Sequence, residues 1–253
     1  MASTPDILIR PATEADADGI ARVHHLALAQ FDDFGAAWFE RRPRDILPLS
    51  TRAALQAPKN RFLVAVIPGS DAVVGFVRYH VVDATGPPAD STTTAETPDV
   101  PEKPDPVAAL FAIKDHMKEL WERFVHPRED EMDACYEKAV DGRKHNYVKH
   151  IMVDPDHQRK GIGAKLLRTV VDISDDEKLP TFLVASAEGY GLYKRLGFED
   201  LGTWTIDDDF WSKEIVEHER KLGISGNEKL AEQYEGIREI ERYMIREWKS
   251  RKQ

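Results

Sequence analysis

A stretch rich in glycine and basic side chains carries the clearest chemistry in this sequence. It consists of Gln158, Arg159, Lys160, Gly161, Ile162 and Gly163. The first N–H groups of a helix lack internal partners and carry the positive end of the helix dipole, so they attract anions. Glycine lets a phosphate approach the backbone closely, and the two basic side chains add positive charge. The stretch therefore predicts a phosphate site at the start of a helix, against the alternative of a solvated helix end.

Other phosphate-binding motifs fit this stretch less well. A Walker loop needs a Gly-Lys-Ser/Thr ending that the sequence lacks. A dinucleotide fingerprint needs a third glycine, and Leu166 occupies that position. The phosphate that is expected here therefore belongs to a different ligand class.

The surrounding pattern predicts the elements that position this stretch. Apolar runs predict strands over residues 7–10, 62–67, 73–82, 147–153, 181–185 and 198–206, the last being the final strand. Helical spacing predicts helices that begin at Thr13 and near Ile162, a short one that ends before Gly197, and others over residues 110–124 and 230–248. Gly75 indicates a bulge or a close backbone approach. Strands mixed with helices in this order predict one α/β or α+β domain.

At this point the sequence resembles the GNAT acetyltransferase superfamily. Its motif is Gln or Arg, two residues, Gly, one residue, and Gly or Ala, which here is Gln158, Gly161 and Gly163 after Val153 and Pro155. The run Leu192-Tyr193-Lys194-Arg195-Leu196-Gly197-Phe198 is similar to the family's helix end, and Ile9-Arg10-Pro11-Ala12-Thr13 with Asp16 is similar to its opening. The resemblance covers residues 7–82 and 147–206.

The resemblance implies a fold, a donor and a reaction. The fold would be a mixed, splayed central sheet flanked by helices, and the donor would be acetyl-CoA. The amides from Gln158 to Gly163 would hold its pyrophosphate, and the backbone of Ile151, Met152 and Val153 would bind its pantetheine arm. The implied enzyme is an acyl-CoA-dependent N-acyltransferase, which moves an acetyl group onto a primary amine by direct attack. Two alternatives stay open, an acyl-CoA-binding regulatory module with little turnover and a protein or peptide N-acetyltransferase.

The sequence also departs from the family pattern. The family often has Asn seven residues before the tyrosine and Ala four before it, where this chain has Ser186 and Gly189. Ser186 can still bond the cofactor. Residues 83–145 form a long insertion that starts with a proline-rich, acidic loop, and residues 207–253 follow the matching part. We therefore expect a domain over 1–206 that is interrupted by 83–145, with a C-terminal helical extension over 207–253.

The reaction needs a base, an oxyanion donor and an acid for the leaving thiolate. The resemblance implies that Tyr193 is the acid, and the alternative is a tyrosine that packs the helix end. A backbone N–H near Ile151 or Met152 would bind the oxyanion. The base is open, because Tyr147 stands near the place where some relatives carry a glutamate. His145, His150 and Glu188 are candidates, and water relayed to solvent would also serve.

Composition narrows the range of partners. The formal net charge of −10 argues against a nucleic-acid partner and slightly favours a cationic small molecule. The apolar runs are too short for a membrane span, and the sequence shows no signal peptide, so we expect a cytoplasmic protein. The single cysteine, Cys135, cannot form an intramolecular disulfide and suits a reducing compartment. No metal-ligand spacing occurs, so no metal is expected. The C-terminal apolar stripe predicts core or homodimer packing, and the insertion could be a lid over the amine pocket or a surface decoration.

Overall fold

A seven-stranded sheet lies at the centre of the described residues. The computed structural model describes residues 7–84 and 108–250, so most of the predicted proline-rich loop lies outside the described residues. The strands are β1 (Leu8–Pro11), β2 (Asn60–Ile67), β3 (Ala72–Val82), β4 (His145–Val153), β5 (Thr181–Ala185), β6 (Glu199–Ile206) and β7 (Glu239–Arg246). Their order in the sheet is β1-β2-β3-β4-β5-β7-β6. Among these described strands only β4 and β5 pair in parallel, so the sheet is mixed.

Helices cover both faces of this sheet. They are α1 (Ala17–Ala27), α2 (Asp32–Trp38), α3 (Pro43–Gln56), α4 (Lys118–Val140), α5 (Ile162–Glu177), α6 (Ala187–Arg195), α7 (Asp208–Leu222) and α8 (Leu230–Gln233). One apolar cluster joins α5 and α6 to the sheet, and a second joins α1 and α3 to the opposite face. A third, mainly aromatic cluster joins α2, α4, α7 and α8. In residues 7–84 and 108–250, every helix is too short or too polar to cross a lipid bilayer.

The entry into the first helix matches the sequence prediction. Thr13 caps a short 3₁₀ turn, Glu14–Asp16, that leads directly into α1. The Asp16 carboxylate accepts hydrogen bonds from the Thr13 amide at 2.7 Å and from both terminal nitrogens of Arg10 at 2.8 Å. These bonds tie the start of α1 to β1.

Gly75 brings a helix close to the sheet, as its position in β3 predicted. A Cβ atom at Gly75 would lie 3.1 Å from Cγ2 of Ile162 and 3.3 Å from Cδ1 of Leu166, both on α5. The register between β2 and β3 also shifts between Ala65 and Val66, opposite this point. The missing side chain therefore lets the first turns of α5 pack tightly on the sheet.

The helix predicted over residues 110–124 is wrong in its first half. The backbone around Ile113 is extended instead and forms a bridge with Phe39, at the end of α2. The Lys114 ammonium donates to the carbonyls of Ala36 and Ala37. These long-range contacts outweigh the helical spacing of the apolar residues, so α4 begins only at Lys118 and continues to Val140.

The helix predicted over residues 230–248 is also wrong. Only the four residues of α8 are helical there, and β7 enters the sheet between β5 and β6, so β6 is not the final strand. Tyr243, Met244, Ile245 and Arg246 are all buried. A strand with neighbours on both sides and cover on both faces lacks the alternating pattern that identifies a strand in sequence. The expected helical extension is therefore helical mainly in α7.

Candidate functional site

The two central parallel strands separate at one end of the sheet. β4 and β5 pair only through Asn146, Tyr147 and Val148, which face Thr181, Phe182 and Leu183. Beyond that point β4 continues to Val153 with β3 as its partner, and a register shift leaves Lys149 without a partner on β3. The edge of β4 that faces β5 is therefore open along Ile151, Met152 and Val153. Backbone groups on an open edge can bond an extended ligand in place of a strand.

A rigid turn follows the open edge. The Asp154 side chain accepts a hydrogen bond from the Asp156 amide and forms a 2.6 Å ion pair with Arg22 on α1. Arg22 also donates to the carbonyl of Val73 at 2.7 Å. The Gln158 side chain donates to the carbonyl of Val153 at 3.1 Å. Strand, turn and helix start are thus held together by side chains, and the following backbone is kept in place.

The N-terminus of α5 presents free donors to solvent. In the part of the chain that the structure describes, no acceptor is found for the amides of Arg159, Lys160, Gly161, Ile162 and Gly163. Gly161 has a φ of +79°, and a Cβ atom placed there would meet nothing within 4 Å. Arg159 also has a positive φ, of 62°. Free amides at the start of a helix, with open space beside Gly161, form a cradle that a phosphate or pyrophosphate fits.

α6 begins where β5 ends, across the gap from β4. Its N-cap is Ser186, whose hydroxyl accepts a hydrogen bond from the Gly189 amide at 3.4 Å. Glu188 is exposed in the first turn. Tyr193 lies in the apolar cluster between α6 and the sheet and is only 5% exposed. Burial raises the pKa of the Tyr193 phenol, so the hydroxyl keeps its proton at neutral pH.

A cavity of about 720 Å³ lies on the other face of the sheet and reaches β4 at His150. Its walls come mostly from α1, α2 and α3, and its floor includes Phe76 and Arg78 of β3 together with His150 of β4. Phe111, from the insertion, lines it as well. His150 therefore links the cavity to the strand segment that has lost its partner on β5.

Three histidines that line this cavity, His24, His80 and His150, are neutral at physiological pH. Burial, with the nearby charge of Arg78, lowers the pKa of His24 to about 4, and the same causes lower the pKa of His80 to about 4. Burial and the neighbouring His24, Arg78 and Lys149 hold the pKa of His150 well below its usual range. The rings of His24 and His150 lie 4.8 Å apart. His150 therefore has the protonation state of a base, but it is a weak one.

The other histidine candidate, His145, has a structural role. His145 is 2% exposed, and its Nε2 lies 2.6 Å from the Tyr136 hydroxyl. Its Nδ1 lies 2.7 Å from the carbonyl oxygen of Arg143. With both ring nitrogens occupied, His145 fixes α4 to β4. It does not line the cavity.

Sequence reasoning missed several residues around the site. Arg78 and His24 line the cavity, but they lie in separate elements without a local motif. Glu239 was also missed, although burial and the neighbouring Asp208 raise its pKa to about 7. Only the three-dimensional packing of β3, α1 and β7 identifies these groups.

Known proteins match the part of the chain that holds the cradle. The family model described as an acetyltransferase (GNAT) domain matches residues 123–200. An uncharacterized N-acetyltransferase of Schizosaccharomyces pombe is 34% identical over 53 residues. That alignment covers 21% of this chain and 23% of the yeast protein, so the chain matches about a quarter of the relative's length.

Solved structures share the whole fold at low sequence identity. A structure described as histone acetyltransferase HPA2 and related acetyltransferase, from Corynebacterium glutamicum, is 18% identical with a TM-score of 0.52, covering 97% of each chain. A mosquito arylalkylamine N-acetyltransferase like 5b is 16% identical with a TM-score of 0.53, covering 96% of this chain and 100% of its own. The predicted mixed, splayed sheet flanked by helices is therefore confirmed.

Proposed function

We propose that this chain, which carries a domain of the GNAT acetyltransferase superfamily, is an acyl-CoA-dependent N-acyltransferase that acetylates a primary amine. One observation carries the proposal. The open edge of β4 has an anion cradle at its far end and a cavity on its other face, and His150 belongs to both strand and cavity. A donor on the edge and an acceptor in the cavity would meet within a few residues of His150.

The donor side of the site fits an acyl-CoA. The free amides from Arg159 to Gly163 would hold the pyrophosphate, and the exposed Arg159 and Lys160 would add attraction. The open edge at Ile151, Met152 and Val153 would bond the amide-containing pantetheine arm as a strand would. Ser186, at the start of α6, lies at the end of β5 across the gap and could contact the arm there.

The reaction that follows is a direct transfer. The neutral amine nitrogen forms a bond to the thioester carbonyl carbon, and the C–S bond then breaks. The amine releases a proton, and the departing thiolate takes one up. A backbone N–H near Ile151 or Met152 would stabilise the oxyanion, and such fixed donors usually contribute more to the rate of acyl transfer than any other single interaction.

Tyr193 is the proposed acid, because its buried phenol keeps a proton to donate. His150 and Glu188 are the proposed bases. His150 is neutral and faces the cavity, whereas Glu188 is exposed near the start of α6. A weak base suffices where the surroundings already favour the neutral amine, so His150 acts as a relay toward solvent in this scheme.

A pair of variants at the cradle tests the assignment. Gly161→Asp puts a carboxylate where the pyrophosphate would bind, and Gly161→Asn puts a neutral side chain of the same shape there. Asp and Asn both tolerate a positive φ. Gly69 supplies the control, because it has a φ of +89° and open space around it in the turn between β2 and β3. Gly69→Asp should bind acetyl-CoA like wild type.

Calorimetry should show that Gly161→Asp binds acetyl-CoA at least about tenfold more weakly than Gly161→Asn does. Both side chains crowd the phosphate, but only the aspartate also repels it by charge. Thioester consumption should then depend on an added primary amine. Tight binding by Gly161→Asp would remove the cradle from the proposal. Binding without consumption of thioester across an amine panel would favour a regulatory module instead.

A further inference from the structure

The cavity that is proposed to hold the amine has an uneven distribution of charge. Its walls are largely apolar, with Leu47, Phe62 and Phe76 among the lining residues. Its floor carries Arg78, and Lys59 also lines it. The one carboxylate among its lining residues is Asp32, which is already paired with Arg42 at 3.3 Å. The cavity therefore suits an apolar body attached to an anionic group.

Arg78 lacks the partner that comparable arginines have. Arg10, Arg128 and Arg246 each hold a carboxylate through two parallel hydrogen bonds of 2.7–2.8 Å. In residues 7–84 and 108–250, no carboxylate lies within ion-pair distance of Arg78. Its described side-chain contacts are neutral ones, with the Asn60 oxygen at 3.2 and 3.3 Å and with Nε2 of His80 at 3.4 Å.

The surroundings of Arg78 make this lack of a counter-charge costly. The residue is half-buried, its guanidinium stands 5.7 Å from the centre of the Phe62 ring, and burial lowers its pKa. A guanidinium that is partly removed from water gains strongly from a two-pronged bond to a carboxylate. A ligand that carries a carboxylate would supply this partner.

We propose that the acceptor is an amine that also carries a carboxylate, and that Arg78 binds this carboxylate inside the cavity. The inference rests on the proposed acyl transfer. Arg78 pairs with His150 in the register between β3 and β4, and Met152 lies two residues further on, about 7 Å along the strand. A carboxylate on Arg78 thus leaves the amine within reach of the open edge, and the apolar body fills the remaining volume.

A second cation beside the open edge helps the chemistry. An amine must lose its proton before it attacks, and a nearby positive charge disfavours the ammonium form. Lys149 supplies that charge, because the bound carboxylate neutralises Arg78 and not Lys149, whose own pKa is lowered by burial and then by Arg78. The net charge of −10 favoured a cationic acceptor, but the local charge of the cavity favours a zwitterion.

Matched acceptors that differ only in the carboxylate test the inference. The pairs are phenylalanine with 2-phenylethylamine, and leucine with 3-methylbutylamine. Wild-type enzyme should have a higher kcat/KM for the amino acid of each pair, through a lower KM. The preference is the kcat/KM of the amino acid divided by the kcat/KM of the matching amine. Arg78→Met should reduce this ratio by about 10- to 100-fold, as expected for a lost charge-assisted bond, and Arg78→Lys should restore part of it. Arg61→Met, on β2 with its partner Glu177, should leave the ratio as in wild type.

Binding of the products separates this inference from the proposed transfer. Calorimetry should show that N-acetylphenylalanine binds more tightly than N-acetyl-2-phenylethylamine, and that Arg78→Met removes the difference. Acetylation of both amines without a carboxylate preference overturns the inference and leaves the transfer intact. A preference that survives in a folded Arg78→Met variant overturns it too. A carboxylate-dependent binding without any acetylation would instead contradict the proposed transfer.

Discussion

The ring of Tyr193 lies directly against the backbone of Gly189, one turn earlier in α6. A Cβ atom at Gly189 would come within 2.7 to 2.9 Å of the Cε2, Cζ and hydroxyl oxygen of Tyr193. Real Cβ contacts are essentially never this short. The ring also meets Phe198 edge-on, with the ring centres 6.0 Å apart. The glycine therefore makes the space in which the phenol sits.

Gly189→Ala should reduce turnover more than stability. Alanine favours a helix over glycine by about 1 kcal/mol, which offsets part of the crowding. The ring of Tyr193 must move, however, and a displacement of about 1 Å can lower a rate 10²-fold. Thioester assays should show that loss, with acetyl-CoA affinity near the wild-type value.

Gly191→Ala is the matched control for that variant. It lies in the same helix, and its Cβ would meet only the Arg195 side chain, at 3.5 Å. Its turnover should stay close to wild type. Equal turnover in Gly189→Ala and Gly191→Ala would mean that the position of the Tyr193 ring has no part in catalysis.

Tyr193→Phe tests the acid role itself. The change keeps the ring packing and removes the hydroxyl, so the fold should persist. If the phenol protonates the thiolate, kcat should fall by about 10²- to 10⁴-fold with little change in acetyl-CoA affinity. Wild-type kcat in a folded Tyr193→Phe enzyme would return Tyr193 to a packing role.

The sequence predicted the donor side of the site better than the acceptor side. The cradle is local, since strand, turn and glycine-containing helix start follow one another within residues 153–163. Its spacing is therefore visible in sequence. Arg78, by contrast, becomes a candidate only because β3 and α3 place it in a cavity and leave it without a carboxylate among the described residues.

The errors in the fold have the same physical origin. Residues 239–246 form a strand with neighbours on both sides, and its last four residues are all buried, so burial there does not alternate along the strand. The backbone around Ile113 is extended because Ile113 and Lys114 pair with the end of α2. The importance of Gly189 is hidden for a similar reason, since its constraint comes from a ring on the next turn. Local pattern cannot report partners that lie far away in the sequence.

The insertion is part of the core and also a wall of the cavity. Met117 and Leu120 are buried against α2 and α7, so deleting residues 83–145 would expose the aromatic cluster. Phe111→Ala is a milder test of the proposed lid, because Phe111 lines the cavity and is 36% exposed. It should raise the acceptor KM several-fold without changing acetyl-CoA affinity. Unchanged acceptor kinetics in Phe111→Ala would show that the insertion has only a structural role.

A buried ion pair joins β7 to α5. Arg246 donates to both carboxylate oxygens of Asp175 at 2.7 and 2.8 Å, and the two side chains are 5% and 9% exposed. Asp175→Asn should lower the free energy of unfolding by about 3 kcal/mol, because it leaves a buried guanidinium without its counter-charge.

The exposed pair of Arg143 and Glu247 provides the comparison for this loss. It has the same two-pronged geometry at 3.0 Å, but its side chains are 44% and 56% exposed. Glu247→Gln should therefore cost less than about 1 kcal/mol. Urea unfolding of both variants checks the contrast, and similar losses would show that burial does not set the strength of these pairs.

Glu239 should make the protein less stable as the pH rises from about 4.5 to about 7. Burial, followed by the charges of Asp208 and Glu241, raises its pKa from an ordinary 4.5 to about 7. Below pH 4.5 the carboxyl is protonated in both the folded and the unfolded chain, so no difference arises. Between these values the unfolded chain ionises first, and the free energy of unfolding therefore falls with rising pH until about pH 7. Glu239→Gln mimics the protonated form and should remove this dependence.

Relative to wild type, Glu239→Gln should thus gain about 1 to 3 kcal/mol between pH 4.5 and pH 8, as expected from the shift in pKa. Some dependence of stability on pH remains in the variant, because burial and Asp207 also raise the pKa of the Asp208 carboxyl. Urea unfolding at pH 4.5, 6 and 8 measures the gain, with the exposed Glu232→Gln as a control that should show none. If the difference in free energy of unfolding between the variant and wild type stayed constant across this range, Glu239 would ionise as an ordinary surface carboxyl. Its surroundings would then not favour the protonated form.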